Sequence, residues 1–429
     1  MVPEEKALKR LLAISSVLLI SYVILGTLRD WNANIHFFLS VHLFCLAVYG
    51  VCAYWLFQGR FEGVSAVYVF VPALLFRLAV LWCEPSLSED FYRYRWDGRV
   101  QVAGHGPYDF PPLAPELQSL RDEYYDRINH KEFRTPYSSF AETLFHLFAR
   151  VSTNVVLFKS FLAIFDVLLL EIIRRLLQKE KKSPAWLLIY AWHPLPIIEF
   201  AGSGHMDIVG ISLLFLSYLL LYHRQAALSG IAFAAAVLTK YLPALVLPSL
   251  LKEGKWKFAI AGGTAGLLLL LVYYSPDWKM FSGVLSYYKK WRFNDSLFGL
   301  LYVWLGGAEP ARIAGMVFTV LAAGFCLAAR FSFYRFAFVV FGTVILFSPV
   351  VHPWYLCWVL PFLVFHPNKP WLFLCGWILL AYVVRHLYPV GIWKPLLWLK
   401  LLIYLPFYAF LLLDALRPLV TRKSSPVNC

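Results

Sequence analysis

Long apolar runs separated by short charged or proline-containing breaks recur along the whole chain. Leu11 to Leu28, Phe37 to Phe57, Val64 to Cys83 and Val155 to Leu177 each approach the roughly 17 to 25 residues that a helix needs to cross a bilayer. They predict membrane-spanning helices. Further spans are expected at Ala185 to Phe200, Ile208 to Tyr222 and Phe258 to Tyr274, and near 311 to 329, 336 to 349, 354 to 365, 371 to 384 and 395 to 416. Ala226 to Leu251 is interrupted by Pro243 and Pro248, and proline breaks a helix interior. That stretch reads as a hairpin of two short helices with Lys240 near its outer tip. The expectation is an all-α polytopic membrane protein, a single domain over residues 1–429 with about 12 to 14 transmembrane helices.

Composition changes this picture little. With 60% hydrophobic and 15% charged residues, the chain has too little polar surface for a soluble globule, which is about one-quarter charged. The first run comes after Lys6, Lys9 and Arg10 and lacks a small-residue cleavage site, so it reads as a retained helix. The cysteines show no CxxC spacing and lie in or beside apolar runs, except the terminal Cys429. Buried, inert thiols are expected, without a disulfide or zinc framework.

The net charge of +14 divides by topology. Arg174, Arg175, Lys179, Lys181 and Lys182 form one cluster, and Lys252, Lys255 and Lys257 another; the positive-inside rule puts both in the cytoplasm. With the N-terminus inside, residues 84–150 face outward after the third helix, residues 275–296 form a second outward loop, and the C-terminal tail with Arg417, Arg422 and Lys423 returns inside. This describes a multi-pass plasma-membrane protein. Its outward basic residues call for an anionic partner, and a membrane-lipid phosphate fits better than nucleic acid.

The segment Ser88 to Arg99 places three carboxylates (Glu89, Asp90, Asp97), three guanidiniums (Arg93, Arg95, Arg99) and the aromatics Phe91, Tyr92, Tyr94 and Trp96 directly after a membrane exit. Interfacial aromatics have a bland explanation in the aromatic belt, and Arg93 with Asp97 fits an i,i+4 pair on a helix. Adjacent carboxylates such as Glu89 and Asp90 repel, so they require a cation, a metal or a raised pKa. A carboxylate can serve as general base toward a hydroxyl, and arginine's fixed fork of donors suits phosphate. Lys240, inside an apolar stretch, is functional by default or else snorkels. His205 and Asp207 come just after Gly202-Ser203-Gly204; they can share a ligand or a proton, and Asp207 can equally cap the next helix. His352 begins a His-Pro-Trp-Tyr run, either a site residue or an interface residue. Lys289, Lys290 and Arg292, among Tyr287, Tyr288 and Trp291, suit a lipid headgroup as well as a substrate.

These residues carry a resemblance. Asp90-Phe-Tyr-Arg-Tyr-Arg-Trp-Asp-Gly98 with Gly106-Pro-Tyr108, Ala201-Gly-Ser-Gly-His-Met-Asp207, Leu238-Thr-Lys240 and His352-Pro-Trp-Tyr355 resemble the motifs of bacterial polyprenol-phosphate-mannose-dependent mannosyltransferases of the GT-C superfamily. The resemblance implies a GT-C-like bundle and inverting transfer of a sugar from a polyprenyl-phosphate carrier to a hydroxyl of a glycan or glycolipid, on the extracytoplasmic side. Asp90 becomes the base, with Glu89 the alternate. Tyr92, Arg93, Arg95, Asp97, Arg99, Tyr108, His205, Asp207, Lys240 and His352 become the substrate- and phosphate-binding set. The resemblance fixes no cofactor, and a divalent ion, magnesium or manganese, is left open. One departure stands out: most GT-C enzymes carry the catalytic loop after the first helix, where this chain has only Asp30 beside Arg29. The rival class is a transporter or flippase of a lipid-linked or anionic solute, which would use Arg77 and Lys240 within the membrane.

Overall fold

A computed structural model describes residues 3–253, 256–388 and 392–423. Lys255 and Cys429 lie outside the described residues, as do the side chains of Lys252, Arg417, Arg422 and Lys423. Every regular element described is helical, and the only extended pairing among the described residues is an isolated bridge between Phe293 and Val350. Five helices are long and apolar enough to cross a membrane: Glu5–Thr27, Ile35–Phe57, Ala308–Ala328, Lys369–Leu387 and Leu397–Leu416. The chain is an all-α polytopic membrane protein.

The expected 12 to 14 crossings are not met by whole helices. A bent pair, Pro194–Gly202 with Asp207–Tyr222, adds a sixth span if counted as one, and the other apolar helices have 10–17 residues. Proline explains much of this. Pro72 sits inside Val67–Val80, and Pro353 and Pro361 open two 3-10 turns, Pro353–Trp358 and Leu360–Val364, where a helix over 354–365 was expected. The run from Ala185 to Phe200 likewise becomes short pieces around Pro194 and Pro196, ending in a π-helical turn at Ile197–Gly202. These pieces are almost wholly buried, as irregular backbone at membrane depth must be.

Val155–Lys179 is a 25-residue helix, about 37 Å long at 1.5 Å per residue, whose inner face carries charge. Asp166 accepts from Arg77 Nε at 2.6 Å and from the Tyr190 hydroxyl at 2.6 Å, while Arg77 Nη1 donates to the Ala73 and Ala191 carbonyls at 3.0 and 2.9 Å. Lys159 donates to the Cys83 carbonyl at 2.6 Å. All three charged side chains are buried, and the Arg77 and Asp166 charges offset each other inside the bundle. The six described cysteines are buried and free.

The polar segment after the third helix is a packed layer. Two 13-residue helices, Asp90–Val102 and Ser139–Val151, lie against each other. Their approach needs Gly98, where a Cβ would stand 2.4 Å from the Phe145 carbonyl oxygen. The expected Arg93–Asp97 pair is present one helical turn apart. Two short helices also meet at Lys240, Ala226–Val237 before it and Leu242–Leu251 after it.

Candidate active site

The layer of short and broken helices surrounds one cavity of about 230 Å³. Asp90, Arg93 and Tyr94 line it from the first helix of the polar layer, Asn129, His130, Phe133 and Arg134 from the loop between its two helices, Asp207 and Lys240 from the two helix breaks, and Tyr287, Trp291, His352, Trp354, Tyr355 and Trp393 from the later chain. Residues more than 300 positions apart thus share one wall.

Asp90 begins its helix and is half-buried on the cavity. Removal from bulk water pushes its pKa up to about 7, the neighbouring Glu89 adds to the rise, and the Lys240 charge and a hydrogen bond from Asn129 oppose it. Glu89 points elsewhere. Its carboxylate pairs with Arg385 Nη1 at 2.6 Å and accepts from Trp393 Nε1 at 3.4 Å.

Asp207 and Lys240 form the opposite corner. Lys240 Nζ is 2.5 Å from Asp207 Oδ1, which also accepts from Trp358 Nε1 at 2.6 Å. Lys240 stands 4.4 Å over the Tyr355 ring, and the Tyr355 and Tyr287 hydroxyls are 2.8 Å apart. The break that delivers Asp207 depends on glycine: a Cβ on Gly202 would lie 2.3 Å from the Trp31 ring, and Gly204 has φ +73° with Phe91 2.7 Å from its Cβ position. A φ in that region costs any other residue strain. The two halves of the broken helix diverge by 117°. Asp207 caps nothing by its side chain; it anchors Lys240.

His205 and His352 hold Trp354 between them, with ring centroids 3.9 and 4.3 Å away and interplanar angles of 18° and 3°. His205 lies behind Trp354, with Glu199 Oε2 3.4 Å from its Nε2 but out of line for a hydrogen bond. His352 reaches the cavity itself.

The guanidiniums divide. Arg93 Nε donates to both Asp97 oxygens at 2.9 and 3.0 Å and Nη1 to the Phe133 carbonyl at 3.2 Å, while Nη2 has no hydrogen-bond partner among the described residues. Arg95 Nη1 binds Asp122 at 2.6 Å, and Arg99 pairs with the same carboxylate. Neither lines the cavity, nor do Tyr92, whose hydroxyl accepts from Arg127 Nη1 at 2.6 Å, and Tyr108, whose hydroxyl donates to the Tyr137 carbonyl at 2.9 Å. Asp97 sits behind Arg93. Among the described residues no group of three or more His, Cys, Asp or Glu side chains is arranged to hold a metal ion. Asn129, Trp358, Arg385 and Trp393 also belong to the site. Single polar or aromatic residues outside any motif gave the sequence no means of marking them.

A family model for the alpha-(1->6)-mannopyranosyltransferase N-terminal domain matches residues 10–252. The chain belongs to this family. It is therefore a glycosyltransferase that transfers mannose. A comparison with curated proteins gives no match. The matched span of this mannosyltransferase contains Asp90, Arg93, Asp207 and Lys240, whereas Tyr287, Trp291, His352, Trp354, Tyr355 and Trp393 close the cavity from beyond it.

Proposed function

We propose that this mannosyltransferase moves mannose from a polyprenyl-phosphate carrier to a hydroxyl of a glycan or glycolipid at the extracytoplasmic face of the plasma membrane, with inversion at the anomeric carbon and Asp90 as general base. Both termini then lie in the cytoplasm, and the family description favours an alpha-1,6 product. The observation that carries this reading is the cavity's division of charge. Asp90 is its one carboxylate without a strong cation partner among the described residues, and Lys240 and Arg93 stand on the same walls. A double displacement needs a second carboxylate as nucleophile. Asp207 is bonded to Lys240 and Trp358, and Glu89 to Arg385, which supports single displacement.

In that displacement the acceptor hydroxyl gives its proton to Asp90 as its oxygen attacks the anomeric carbon. The bond from that carbon to the phosphate oxygen breaks, and the oxygen keeps the electron pair. Arg93 Nη2 and the N–H groups of Lys240 not used by Asp207 hold the departing phosphate, and donors fixed in place before the reaction stabilise charge as it develops. No step is routed through a metal ion, since the cavity residues do not form a ligand set.

Arg77, one of the two residues on which a transporter reading relies, is bonded to Asp166 inside the bundle. The test uses purified protein with polyprenyl-phosphate mannose and a mannosyl acceptor. Asp90→Asn is expected to cut transfer by about 10²- to 10⁴-fold, the usual contribution of a general base, at unchanged melting temperature. Full transfer by that variant rules out Asp90 as the base.

A further inference from the structure

Two carboxyl groups and one guanidinium are shut away together behind the cavity wall. Asp97, Glu142 and Arg93 are 2%, 0% and 4% exposed. Arg93 Nε spans both oxygens of Asp97. Thr135 donates to Glu142 Oε1 at 2.7 Å, and Gln101 Nε2 to Oε2 at 2.9 Å. Asp97 and Glu142 sense each other's charge in this enclosure, and a hydrogen bond between them would need a proton on one, because an ionised carboxylate only accepts. One cation facing two carboxylates would leave negative charge uncompensated where water is excluded, so the pair retains a proton. Asp97 receives both bonds from the cation and is the ionised member.

We propose that Glu142 is a positioning residue: as a neutral acid it donates to Asp97, and the carboxylate so fixed orients Arg93, a residue of the cavity lining, so that its buried and unpaired Nη2 can bind a phosphate oxygen of the donor. This rests on the reading above that the donor is a phosphate ester. Burial, and after it the Asp97 charge, push the Glu142 pKa well up. The titratable groups facing Glu142 are Asp97 and Arg93 of the adjoining helix, Tyr108, and Tyr273 just past Trp256–Leu271. Of these, Asp97 and Arg93 carry charge near neutral pH.

Two measurements test the proposal. The infrared difference spectrum of wild type minus Glu142→Gln, taken above the Asp90 titration, is expected to contain a protonated-carboxyl C=O band. In transfer assays Glu142→Gln, which keeps a neutral donor, is expected to hold the donor KM within about threefold of wild type. Glu142→Ala and Arg93→Gln are expected to raise it about tenfold or more, the cost of one charge-assisted hydrogen bond, with a smaller change in kcat. Absence of that difference band, or a Gln variant as impaired as the Ala variant, overturns the neutral-acid role. The difference band together with an unchanged donor KM in Glu142→Ala and Arg93→Gln overturns the positioning role. If Glu142→Ala does not accumulate, the Gln variant, the infrared band and Arg93→Gln decide. No transfer by the wild type from any polyprenyl-phosphate mannose would sink the donor reading, which the infrared result does not address.

Discussion

Two carboxylate–cation pairs in this molecule look alike on paper and behave differently in space. Arg77–Asp166 lies inside the bundle with both side chains closed off, Arg77 bonded through Nε and both Nη atoms and Asp166 taking a further bond from Tyr190. Asp207–Lys240 lies where two helices break, and the Lys240 side chain keeps 33% of its surface open on the cavity. Saturation makes the first pair a cross-link. Incompleteness leaves the second with donors to offer the cavity, because an ammonium has three donors and Asp207 uses one of them.

The widest separation between the two regions is expected from Asp90→Asn set against Asp166→Ala. The first should abolish nearly all transfer, about 10²- to 10⁴-fold, and leave thermal unfolding in detergent unchanged. The second should lower stability by about 3–5 kcal/mol, the usual cost of stranding a buried charge, with the surviving folded fraction still able to transfer mannose. Equal loss of stability in both variants would break the comparison.

A smaller effect is expected from Lys240→Met, about 10- to 100-fold in kcat/KM if one charge-assisted contact to the leaving phosphate is lost. It should also move a pH profile. With Asp90 acting as the proposed base, kcat/KM should fall about tenfold per unit as pH drops below about 7, the value to which burial pushes its pKa. Lys240 pulls that pKa down; its removal should shift the midpoint upward. A downward or absent shift would mean that the two groups do not sense each other. The smallest change is expected for Arg99→Ala, which gives up a partly exposed pair with Asp122: about 1 kcal/mol of stability or less and an unaltered donor KM. A raised KM there would bring Arg99 back to the site.

Much of the fold was legible in hydrophobic run length. Leu11 to Leu28 lies inside helix Pro3–Thr27 but for its last residue, and Phe37 to Phe57 matches helix Ile35–Phe57 to within about two residues. Run length failed where prolines sit in apolar sequence. Ala185 to Phe200 and 354 to 365 are as apolar as any span, yet their interior prolines remove backbone donors and leave π and 3-10 turns. The polar layer hid its helices for the opposite reason: in Asp90–Val102 charged and aromatic residues on every side erase the apolar stripe. At the cavity, motif residues Asp90, Arg93, Asp207, Lys240 and His352 are brought together, while Tyr92, Arg95, Arg99 and Tyr108 from the same motif region serve neighbours outside it. Successive helix residues face different directions about every 100°, so a motif reports a segment and not an orientation. Glu142 and Arg385 act on Asp97 and Glu89 from distant segments, a relation that no local spacing encodes.

The π turn at Ile197–Gly202 has a geometric consequence. Its i→i+5 bond from Ser203 N–H to the Ile198 carbonyl, 2.8 Å long, accommodates one residue more than an α-turn. Winding the same residues as an α-helix, with none removed, would carry the surplus residue into the downstream half-helix and rotate it by about 100°. Asp207 would then swing off Lys240 and Trp358 without a change in the side chain of either partner. The angular phase of the second half-helix is thus written in a surplus residue of the first.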